Sequence, residues 1–87
     1  MYKVIFSRIA EKHKSLLKQA KLDGKAKSLL DILVVNPFQT PPSYEKLSGD
    51  FRGAYYRRIN YQHRLVYTVS EKEKEVFVLS MWTHYEE

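Results

Sequence analysis

At 87 residues, 44% hydrophobic and 29% charged, the chain is sized and composed for one soluble globular domain, residues 1–87, with a single core. It has no cysteine, which excludes a disulfide framework and a thiolate metal site, and no apolar run approaches the ~20 residues of a membrane span. Fifteen Lys and Arg against 10 Asp and Glu leave a net charge of +5, which favours a polyanionic partner, nucleic acid or an acidic protein, without choosing between them. The N-terminal apolar run is too short for a signal peptide and meets charge at once, so a cytoplasmic protein is expected.

Tyr2 to Phe6 reads as a short strand. Ser7 is placed to cap the helix that follows, Arg8 to Leu22, in which Ile9, His13, Leu16, Leu17 and Ala20 recur near helical spacing. Asp23-Gly24 breaks it, and Asp23 is a second candidate cap, for a helix Gly24 to Val35 carrying Ala26, Leu29, Leu30, Ile32 and Leu33. Asn36-Pro37 ends that helix, because a residue before proline is pushed out of the α region. Phe38 to Ser43 is a stiff loop, Tyr44 to Leu47 a short strand or edge, and Ser48 to Gly53 a turn. Glu71 to Glu75 is a charged turn, and Val76 to Trp82, apolar on both faces, is a central strand. The expected fold is α+β in the order β-α-α-β-β-β. Its sheet is mostly antiparallel, with the two N-terminal helices lying antiparallel to each other on one face.

The centre of the chain is Ala54 to Val69, two β arms rich in Tyr, Ile, Val and Thr around an Asn60-Tyr61-Gln62 turn. Side chains alternate faces along a strand. Tyr56 and Arg58 therefore share one face, and Tyr55, Arg57 and Ile59 the other. In the second arm Arg64, Val66 and Thr68 point one way, and the more apolar set His63, Leu65, Tyr67 and Val69 points to the core. Arg58 and Arg64 can thus meet on a single open face. Paired guanidiniums on a rigid sheet suit a phosphate, because each offers a planar fork of donors.

Glu45, Arg58, Arg64 and His84 together are the parts needed to cleave RNA without a metal or cofactor. A carboxylate takes the 2′-hydroxyl proton, an imidazolium protonates the leaving 5′-oxygen, and arginines hold the phosphorane's charge. Plainer readings stand beside this: Glu45 as a solvated charge, the arginines as surface ion-pair partners, His84 as an idle exposed imidazole. His63 and His13 read as structural. The three histidines are far apart in sequence and no ligand spacing such as HExxH occurs, so no metal site is expected. Tyr55, Tyr56 and Tyr61 are candidates to stack bases, with sheet packing the plainer role for Tyr55.

Glu45-Lys46-Leu47, Gly53, Tyr56-Arg57-Arg58-Ile59-Asn60, His63-Arg64-Leu65-Val66-Tyr67 and the pair His84-Tyr85 together resemble the YoeB/Txe family of RelE-like bacterial toxins. The resemblance covers roughly Pro42 to Tyr85; residues before Thr40 match in layout only. It implies the small microbial-ribonuclease fold and an endoribonuclease that cuts mRNA in the A site of the ribosome. It also implies neutralisation by a cognate acidic antitoxin, and a homodimer is a further candidate assembly. By motif, Glu45 falls on the general base, His84 on the general acid and Arg64 on the transition-state arginine. Arg58 falls on a second substrate-facing arginine and Tyr85 on the aromatic that closes the site; Lys46 and Tyr56 are further candidate substrate contacts. Two features depart from the family pattern: Ser48 follows Leu47 where a lysine is usual, and Glu86-Glu87 follow the His-Tyr pair. The residues alone leave two other functions open, a non-catalytic RNA- or ribosome-binding module and a protein-binding domain for an acidic partner.

Overall fold

The computed structural model describes residues 1–47 and 53–82. Its elements are β1 (Lys3–Phe6), α1 (Arg8–Gln19), α2 (Asp23–Val35), β2 (Glu45–Lys46), β3 (Ala54–Arg58), β4 (Arg64–Ser70) and β5 (Glu75–Ser80). The strands form one five-stranded sheet in the order β1-β5-β4-β3-β2. Only β1 and β5 run parallel; the other pairs are antiparallel. The expected α+β fold is present, with the Tyr44–Leu47 stretch contributing the short edge strand. The segment expected to turn between Ser48 and Gly53 lies outside the described residues except for Gly53.

Ser7 caps α1 as expected, its Oγ accepting the Ala10 N–H at 3.0 Å. The same hydroxyl donates to the Leu79 carbonyl at 2.8 Å, so the helix start is fastened to β5. α1 ends at Gln19 rather than Leu22, and the chain reverses through Lys21 in the left-handed region at φ 61°. Gly24 is therefore not the breaker; it sits in the first turn of α2. Asp23 is likewise not the cap. Leu22 holds that position with no side-chain bond, and Asp23 is the first helical residue, where the helix dipole favours a carboxylate. At the other end Asn36 leaves the helix in an extended conformation, φ −160° and ψ 102°, as the following proline requires.

The inward row of α1 is Ala10, His13 and Leu17, spaced three and four apart; Ile9, expected inside, is 60% exposed. From α2, Ala26, Leu29 and Leu33 meet Leu65, Tyr67, Val76 and Val78 of the sheet in one core. Of these, Leu65 and Tyr67 belong to the face that alternation assigns to the interior. Both helices cover that face. Truncating Leu17 or Leu33, each at most 2% exposed, to alanine would cost about 2–5 kcal/mol. β5 lies between β1 and β4, so the interior position expected for this strand is the observed one.

Candidate active site

The hairpin is set by Asn60, whose Oδ1 accepts the N–H groups of Gln62 at 2.8 Å and His63 at 2.7 Å. Ile59 N–H meets the His63 carbonyl at 2.9 Å and fixes the register. In that register Arg58 stands directly opposite Arg64, and Tyr56 opposite Val66. On the other side Tyr56 stands opposite Glu45 of β2. Residues opposite each other in a ladder share a face, so Glu45, Tyr56, Arg58 and Arg64 occupy one surface. It is the surface the helices leave uncovered.

The Arg64 guanidinium lies 4.5 Å from the centre of the Tyr56 ring, a cation–π contact that limits where it can swing. Arg58 Nη1 donates to the Tyr61 carbonyl at 3.3 Å and is otherwise turned to solvent. Glu45, Tyr56 and Arg58, with Pro42, Ser43 and Tyr44, line an open pocket of about 110 Å³. Among the described residues, Glu45, Arg58 and Arg64 form no ion pair. Two guanidiniums with unspent donors beside a carboxylate suit an anion that also presents a proton to be taken. Lys46 stands apart from this group. It pairs with Tyr55, so alternation sets it on the opposite face from Glu45. Tyr61 is 87% exposed at the hairpin tip. Tyr55 packs instead, edge-on to Phe38 and Tyr44 at 5.3 and 5.7 Å.

Arg57 has a role that no motif announces. It is 1% exposed, and its guanidinium reaches four oxygens: Pro42 O at 2.6 Å, Pro37 O and Gln39 O at 2.9 Å, and Tyr67 Oη at 3.2 Å. The Tyr67 hydroxyl in turn donates to Pro37 O at 2.9 Å. Burial pushes this phenol above its ordinary range, with the Arg57 charge pulling the other way. The proline loop is thereby bound to the hairpin just before it delivers Glu45. The only sequence signal was parity: an arginine on an apolar face must find partners there.

The model of the YoeB-like toxins of bacterial type II toxin–antitoxin systems matches residues 16–85. The chain belongs to this family. The match begins well before the motif-bearing stretch from Pro42. Toxin YoeB of Synechocystis sp. is 33% identical over 73 residues, 84% of this chain and 76% of that protein. Among solved structures, a YoeB/ParE toxin from Agrobacterium tumefaciens superposes with a TM-score of 0.85 at 27% identity, over 95% of this chain and 99% of that one. YoeB in a YoeB–YefM complex from Staphylococcus aureus superposes at 0.80 with 32% identity, over 98% and 99% of the two chains.

In this YoeB-like toxin His84 and Tyr85 lie outside the described residues, and so do Ser48, Glu86 and Glu87. The chain leading to them is well held. Met81 N–H donates to His13 Nδ1 at 3.1 Å. His63 Nδ1 bonds the Trp82 carbonyl, and its ring stacks on the Trp82 indole, centres 4.0 Å apart. Both histidines thus have interior partners, the structural role expected of them. Burial, with the nearby His63 adding to it, holds the His13 imidazole below its ordinary range, favouring the neutral ring that can accept from Met81.

Proposed function

We propose that this toxin is a metal-independent endoribonuclease that cuts mRNA in the A site of the translating ribosome. Glu45 takes the proton from a ribose 2′-hydroxyl, whose oxygen attacks the adjacent phosphorus. Arg64 and Arg58 bind the phosphate and hold the charge that grows on the phosphorane. His84 gives its proton to the departing 5′-oxygen, with Tyr85 and Tyr56 contacting the flanking nucleotide. The products are a 2′,3′-cyclic phosphate and a 5′-hydroxyl, which balances the two proton transfers. Each placed acid or base contributes roughly 10²–10⁴-fold, equivalent to about 3–5 kcal/mol off the barrier.

One observation carries this reading: the shared face on which Glu45, Tyr56 and the opposed pair Arg58 and Arg64 stand without ion-pair partners among the described residues. Lys46, on the other face, has no part in it. The partners proposed are mRNA, the ribosome and a cognate acidic antitoxin, in a cytoplasmic setting. The S. aureus YoeB–YefM complex supports the antitoxin, and the structure of the YoeB dimer from the same organism supports self-association.

Primer extension on a translated message tests the proposal. The wild-type chain should give A-site cuts, and Glu45→Gln or Arg64→Ala should lose them by about 10²-fold or more. A 2′-deoxy substitution at the cut nucleotide should abolish cleavage there, since the nucleophile is gone. RNA binding without any cleaved product, at every message tested, would replace the nuclease by a binding module.

A further inference from the structure

Ser7, His13 and His63 hold the end of β5 at successive points. Ser7 N–H and Oγ take the carbonyls of Val78 and Leu79 at 2.9 and 2.8 Å. His13 takes the Met81 N–H at 3.1 Å, and His63 takes the Trp82 carbonyl. The Met81 side chain is itself 1% exposed in the core. Apolar packing would bury Met81 without fixing its peptide. The two imidazoles fix the peptides on either side of the Met81–Trp82 step, and with them the direction in which the chain leaves the sheet.

The chemistry of each bond assigns its tautomer. A backbone N–H only donates, so His13 Nδ1 carries no proton and Nε2 does. A carbonyl only accepts, so His63 Nδ1 carries the proton. Imidazole serves both needs, and the two histidines come from different elements, His13 from α1 and His63 from the hairpin beside Arg64.

We infer that His13 and His63 are positioning residues: by fixing the peptides at Met81 and Trp82 they set the start of the segment that carries His84 and Tyr85. The inference rests on the assignment of His84 as the general acid. Because His63 adjoins Arg64 in the chain, one residue sets both the strand that carries the transition-state arginine and the point from which the acid departs. An error of about 1 Å in such placement can cost 10²-fold in rate. Neither histidine touches substrate in this scheme.

Trp82 is the single tryptophan, so its fluorescence reports this point alone. The experiment compares His13→Leu and His63→Leu, which remove the polar atom, with His13→Asn and His63→Asn, which keep one near the Nδ1 position. Expected for the Leu variants are a red-shifted Trp82 emission, easier acrylamide quenching and faster amide exchange over residues 83–85, with circular dichroism unchanged. In cleavage assays kcat falls about 10–100-fold while KM holds, and the Asn variants recover most of the loss. Added to His84→Gln, His13→Leu costs less than about 2-fold more, as coupled groups do. Unchanged emission and exchange in both Leu variants would overturn the inference, as would kcat losses that add in full to His84→Gln. A wild-type chain that cuts no RNA removes the catalytic assignment instead, and the fluorescence and exchange measurements still decide whether the histidines hold the segment.

Discussion

Arg57 and Arg58 are adjacent in the chain and live in opposite surroundings. Arg57, 1% exposed, has no carboxylate partner among the described residues; neutral oxygens from the proline loop and Tyr67 hold its charge. Arg58 is exposed on the other face, opposite Arg64, with one long bond to the Tyr61 carbonyl. The helices close the first face with apolar groups and leave the second open. One step along a strand therefore separates an arginine that is part of the frame from an arginine free for a ligand. A guanidinium buried among carbonyls has its donors spent, whereas one in water keeps them.

The sharpest way to break this contrast is to remove both heads in turn. Arg57→Met should cost roughly 3–5 kcal/mol in urea unfolding, because the loop carbonyls lose their donors and a buried network is opened. Arg58→Met should change stability by less than about 0.5 kcal/mol, as exposed substitutions usually do. Equal losses from the two would erase the distinction between the faces. Arg64→Ala should lower kcat about 10²–10³-fold with the unfolding midpoint held. Arg64→Lys should recover little of it, since an ammonium offers neither the fork nor the flat stack on Tyr56; full recovery would mean that charge alone matters there. Ser7→Ala should cost about 1 kcal/mol from the lost cap, read by thermal unfolding; no change would show that the Leu79 bond and cap contribute nothing net.

The smallest effect expected is a titration on the closed face. His13 binds its proton less readily in the folded chain than at its ordinary value of 6.5. The unfolded chain then takes up the proton first as pH falls, so acid favours unfolding. The contribution is complete above that value and disappears as pH drops through the lowered folded value. His13→Asn should flatten the stability difference between neutral and mildly acidic buffer, measured by urea midpoints; an unaltered slope would assign that dependence to other groups.

Much of the open face could be read before any coordinates, because it depends on one local rule. Alternation along two strands and a turn at Asn60 suffice to bring Arg58 and Arg64 together. Glu45 joined them through the motif, and its register with Tyr56 supplies the physical reason. What escaped depends on partners distant in the chain. Arg57 is bound by residues 15 to 20 positions earlier, which no local pattern announces. Helical spacing groups Ile9 with His13 and Leu17, but α1 is rotated so that Ala10, His13 and Leu17 face the sheet and Ile9 faces solvent. Asp23 looked like a cap because its residue type is common there, yet Lys21 had already turned the chain. Lys46, a candidate substrate contact in the sequence, sits one step from Glu45 on β2 and so points to the opposite face.

The pairing of β1 with β5 has a consequence for birth rather than for catalysis. β1 borders the sheet and has β5 as its single neighbour there, and Ser7 reaches its Leu79 partner across 72 residues of chain. Contacts spanning so much sequence form late, since a long loop must be closed before they repay its entropy. During synthesis β1 emerges before β5 and must wait until all the intervening elements have been made. The strand end that leads to His84 is then fastened at the same moment that β1 and Ser7 find their place, so a half-made chain has neither.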